Sequence, residues 1–70
     1  MRPAQAEALR GWLLRHPHPG SPRTLGVTLQ TVRALVRAGC IRAIEADRGP
    51  YTCYVITEQG IATMRARDAA

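Results

Sequence analysis

Seventy residues suffice for one small domain and leave no room for a second; such a chain buries only about 60% of its unfolded surface and gains a core worth roughly 3–5 kcal/mol. The net charge of +5 comes from ten arginines against five acids with no lysine, so every basic group carries the planar fork that suits a phosphate or a guanine edge, although a GC-rich genome also favours arginine. Cys40 and Cys53 are too few for a disulfide framework or a zinc finger and are expected as reduced thiols; no apolar run reaches membrane-spanning length.

Pro3 in a first helical turn, followed by Ala4-Gln5-Ala6-Glu7-Ala8-Leu9-Arg10, predicts a helix over 4–15 with Ala6, Leu9, Trp12 and Leu13 as its buried stripe. Gly11 weakens that helix by about 1 kcal/mol relative to Ala unless a neighbour packs closely against it. His16-Pro17-His18-Pro19-Gly20 ends it. Too rigid and too poor in donors for a strand, 16–20 is expected as an extended linker. Ser21 can cap a short turn or helix over 21–26. In T-L-Q-T-V-R-A-L-V-R-A-G, Leu29, Val32, Leu35 and Val36 recur at helical spacing, Thr28 stands at the N-cap, and Gly39 can take the left-handed stop, which predicts a helix over 29–38. Cys40 to Asp47 and Tyr51 to Ile56, rich in β-branched and aromatic residues, predict a hairpin over 40–56 around Arg48-Gly49-Pro50, with residue 45 facing roughly residue 53. Tyr54 and Ile56 then share a strand face, and Thr57 caps a last helix over 58–67 that carries Ile61 and Met64, while Ala66 to Ala70 are expected to fray. Leu9, Leu13, Leu25, Leu35, Val36, Ile41, Ile44, Ile56 and Ile61 supply every element with core material. The expected fold class is α+β.

The run T-V-R-A-L-V-R-A-G-C-I, the charged hairpin and then Y-V-I-T-E-Q-G resemble the recognition helix, wing and following helix of small bacterial and phage winged-helix regulators, whose wing strand often ends in Tyr-x-Leu-Thr-x-x-Gly. The resemblance covers roughly half the chain, with Ile56 in place of the usual leucine and the helix before the turn reduced to Ser21-Pro22-Arg23-Thr24-Leu25. It implies a winged helix-turn-helix with a three-helix core, a two-stranded wing over 40–56 and a C-terminal helix, and it implies sequence-specific binding to double-stranded DNA; some members bind proteins instead.

On the helix over 29–38, Gln30, Arg33 and Arg37 fall three and four residues apart, on the side expected to face away from Val32, Leu35 and Val36. Such a stripe fits a major groove: Gln pairs with adenine N6 and N7, and Arg with guanine O6 and N7. Thr28 and Thr31 near the helix start are candidates for phosphate or thymine-methyl contacts, Arg48 for the wing tip, and Arg23 and Arg42 for phosphate clamps. The bland alternative is an ordinary solvated helix face and a charged turn, and Glu45 and Asp47 beside Arg48 count against insertion of the wing. Trp12 and Tyr54 are better placed for packing than for stacking on bases.

His16 and His18 flank Pro17 with no further ligand at recognisable spacing, so no metal is expected, nor any other cofactor. Ser21, Cys40 and Cys53 lack a base and an orienting carboxylate, and there is no glycine-rich phosphate loop, so an enzyme is not expected. Met1-Arg2-Pro3 is not followed by a signal-peptide core, which predicts a cytoplasmic protein without a membrane partner. A lone domain contacts few base pairs, so a homodimer through the first and last helices, by way of Leu14 and the Ile61/Met64 face, or a second protein is expected. Three functions follow from this reading: a small transcriptional regulator, a phage-type module that binds a host protein such as RNA polymerase, and a DNA-bending recombination accessory factor.

Overall fold

Helical propensity carries the first element, α1, over Pro3–Arg15, and its Ala6, Leu9 and Trp12 turn inward at spacings of three. A computed structural model describes residues 1–69, and among these the chain forms four α-helices and one two-stranded antiparallel hairpin, an α+β fold. Helix α2 is a single turn, Pro22–Leu25, capped by Ser21 and closed by Gly26 at φ 70°. Helix α3 spans Leu29–Arg37 behind the Thr28 cap. It ends as the sequence suggests, with Gly39 at φ 76° and the Cys40 N–H donating to the Leu35 carbonyl over 2.9 Å.

Strands β1 (Ile41–Ala43) and β2 (Tyr54–Ile56) pair with Ile41 opposite Ile56, Arg42 opposite Val55 and Ala43 opposite Tyr54. The ladder is shorter than the expected Cys40–Asp47 and Tyr51–Ile56, and its register places residue 44 opposite 53, one residue from the expected 45. Side chains take the backbone donors of this stretch, one in the expected second strand and two in the turn. Glu45 accepts from the Cys53 N–H at 3.1 Å, Asp47 accepts from the Gly49 N–H at 2.9 Å, and Thr52 Oγ1 accepts from the Arg48 N–H. The loop 44–53 therefore curls through a 3₁₀ turn at Gly49–Tyr51.

The linker 16–20 also differs from expectation at its end. Gly20 exchanges two backbone hydrogen bonds with Tyr54, each 2.9 Å, and so adds a one-residue bridge to the sheet. Helix α4 runs over Glu58–Ala69, so the stretch expected to fray is helical through Ala69, and Ala70 lies outside the described residues. Near its end an exposed ion pair, Arg10 to Asp68 at 2.6 Å, links it to α1.

Trp12, Leu9, Leu35, Ile41 and Met64 form a fully enclosed core, with Val32, Cys40 and Ile56 around them. Trp12 Nε1 donates to the Gly20 carbonyl at 3.0 Å and meets the Tyr54 ring edge-on. Leu25 lies against the open Cα of Gly11, which gives that mid-helix glycine its packing reason. Val36 and Ile44, expected inside, are 43% and 45% exposed. Among the described residues no helix is long and apolar enough to cross a membrane.

Candidate nucleic-acid interface

Helix α3 presents one side to the core through Val32 and Leu35, with Thr31 and Ala34 half-buried at its edge. At 3.6 residues per turn the remaining face is roughly 120° wide, and around it lie Val36, Leu29, Arg33, Arg37 and Gln30 in that order. All five are exposed. The expected polar stripe is therefore flanked by two apolar residues: Leu29 (40% exposed) and Val36 belong to the outer face and not to the core. The reason is that nine helical residues against a small core bury only a narrow stripe.

Two grooves border this face. On one side, Gln30, Arg33 and Arg37 meet Arg2 and Gln5 at the start of α1, enclosing about 610 Å³. Arg2 is the site residue the sequence did not reveal, because nothing in its spacing tells that α1 begins beside α3. On the other side, Leu29, Arg33, Val36 and Arg37 border a groove of about 470 Å³ that Asp47 and Gly49 of the loop 44–53 also line, together with Val32 and Tyr54. Arg33 and Arg37 border both grooves.

The remaining candidates are scattered. Thr28 Oγ1 accepts the Thr31 N–H at 3.3 Å and donates to Thr31 Oγ1 at 3.0 Å, so both hydroxyls serve the helix cap. Arg23 stands over the Tyr51 ring at 5.5 Å, which joins α2 to the loop tip. Arg42 is exposed on β1, and Arg48 reaches Glu45 at 3.9 Å. The two acids that flank Arg48 are thus engaged within the loop, Glu45 by Cys53 and Arg48, Asp47 by Gly49 and by the Thr52 hydroxyl at 3.2 Å.

Cys40 is buried and Cys53 half-buried, both as free thiols. Removal from solvent, and then the Glu45 carboxylate, push the Cys53 thiol above the ordinary cysteine range, so it stays neutral through neutral pH. His16 and His18 are exposed, and among the described residues no three of His, Cys, Asp and Glu converge to hold a metal ion. No family model, curated protein or solved structure matches the chain.

Proposed function

We propose that the chain is a winged helix-turn-helix protein that binds double-stranded DNA as a small cytoplasmic regulator, without catalytic activity. Helix α3 enters the major groove as the recognition helix, preceded by the one-turn α2, and the loop 44–53 serves as a short wing. The observation that carries this reading is the free state of the α3 face. Among the described residues Gln30, Arg33 and Arg37 make no side-chain hydrogen bond or ion pair; most of the arginines share that state, and what sets these three residues apart is that they stand together on one exposed helix face. Three fork or amide groups held on adjacent helical positions, and left without protein partners, suit bidentate contacts to adenine and guanine. Arg23, Arg42 and Arg48 supply backbone contacts, joined by Arg2 from the neighbouring groove, and the net charge of +5 favours the encounter.

About four phosphate contacts give a salt slope near −3.6, so a fourfold rise in salt weakens binding by roughly a hundredfold. The test is fluorescence anisotropy of a labelled random duplex across a salt series, with the wild-type chain and with Arg33→Ala/Arg37→Ala. The expected result is steep, salt-dependent binding that is lost in a variant still folded by circular dichroism. Binding absent at low salt, or retained in full by the variant, overturns the assignment.

A second reading is a winged-helix module that binds a host protein. Asp47 favours it, since this carboxylate stands on the wall facing Arg33 and Arg37, where a phosphate would be repelled. Under that reading nuclease-treated host lysate yields a copurifying protein whose retention survives the double arginine substitution.

A further inference from the structure

Leu29 and Val36 are exposed on the same flank of α3, seven residues apart, with Arg33 between them in sequence and beside both around the helix. Among the described residues, the loop 44–53 faces this flank across the 470 Å³ groove without covering either side chain. An apolar pair in that position gains nothing from phosphate. What a base edge offers it is the C5-methyl group of thymine, the one apolar feature in the major groove and the one that separates T·A from C·G by shape.

We infer that Leu29 and Val36 are specificity-determining residues that receive thymine methyl groups, on the same helix face from which Arg33 and Arg37 reach guanines. This deepens the reading of α3 as a DNA-reading helix and rests on it. The choice of duplex DNA as occupant follows from charge: the groove beside this apolar flank carries two unpaired guanidiniums, Arg33 and Arg37, against one carboxylate, Asp47, which already accepts from the Gly49 N–H and the Thr52 hydroxyl, so its balance is positive and matches a groove walled by phosphates. Seven residues of helix place the two side chains about 10 Å apart along the axis. At 3.4 Å per step this spans about three base pairs, so the preferred sequence carries two thymines about that far apart with guanine between or beside them.

Uracil differs from thymine only in lacking the methyl group, so the contact can be removed from the DNA side alone. A duplex enriched from a random pool by the wild-type chain is resynthesised with uracil for thymine, and both forms are titrated against wild type and Leu29→Ala/Val36→Ala. Wild type is expected to bind the uracil duplex more weakly, by about fourfold for each methyl lost. The variant is expected to bind both duplexes equally, with the salt slope unchanged because its arginines remain. Equal wild-type affinity for the two duplexes, with binding still abolished by Arg33→Ala/Arg37→Ala, overturns the thymine assignment and leaves the DNA reading standing. Failure of the pool to enrich, with no binding at low salt, overturns both and assigns the flank to a protein contact.

Discussion

Gly60 shows how a single missing side chain sets the geometry of the site. A Cβ at this position would collide with the backbone carbonyl oxygen of Cys40 and come within 2.7 Å of Ile56 Cγ1, so α4 approaches the end of α3 as closely as it does only because residue 60 has none. Around that contact Thr57 Oγ1 donates to the Gly39 carbonyl at 2.6 Å and accepts from the Gly60 N–H at 3.0 Å, while Gln59 Nε2 donates to the Ala38 carbonyl at 2.9 Å. The substitution Gly60→Ala is expected to cost about 1–3 kcal/mol, because the obstructing atom is backbone and cannot rotate aside. That is a large part of the roughly 3–5 kcal/mol available to a domain of this size. A fall in the urea midpoint followed by circular dichroism measures it, and an unchanged midpoint would mean that α4 slides free of the Cys40 carbonyl.

Among the elements, the loop 44–53 departs furthest from a regular hairpin, and one buried hydroxyl organises it. Thr52 is fully enclosed; its Oγ1 takes the Arg48 N–H and donates to Asp47, which in turn holds the Gly49 N–H. Replacing Thr52 with Val keeps the shape and removes the hydroxyl. The loss is expected to be about 1–3 kcal/mol, since a half-buried donor is left without a partner. Amide hydrogen exchange provides the check: Arg48 and Gly49 should exchange faster in the variant, with β1 and β2 little changed. The helices were legible because their boundaries are chemical, Thr28 and Thr57 as caps, Ser21 before Pro22, and Gly39 at the stop. The length of the hairpin was not, because β-propensity cannot tell a ladder from a loop in which Glu45 captures the Cys53 N–H while Asp47 and Thr52 close the turn. The polar half of the α3 face was legible as Gln30, Arg33 and Arg37. Its apolar half was not: spacing alone aligns Val36 with Val32, and only the size of the core decides that Val36 remains outside.

At the scale of the whole molecule, ten arginines on so small a body make charge a structural matter. The two ion pairs among the described residues are both exposed, and pairs of that kind contribute little. Repulsion among the remaining guanidiniums therefore outweighs them, and screening should stabilise the fold. The expected outcome is a higher urea midpoint in moderate sodium chloride than in dilute buffer, with an unchanged slope of unfolding; a lower midpoint would show that the Arg10–Asp68 and Arg48–Glu45 pairs matter more than their exposure suggests. Of the residues expected to offer an apolar surface on the outer helices, only one is left outside the core. Met64 is fully buried and Ile61 half-buried, whereas Leu14 is 81% exposed.

The placement of Trp12 has an optical consequence. It is the chain's sole tryptophan, sealed from solvent between its bond to the Gly20 carbonyl and the edge of Tyr54. Its emission should peak at short wavelength while α1, the linker and β2 hold together, and shift to the red when water reaches the indole. The colour of that light reports the integrity of the core without a label. Because it is distinct from the signal of a dye on DNA, one cuvette can show whether an altered α3 has lost its ligand or lost its shape.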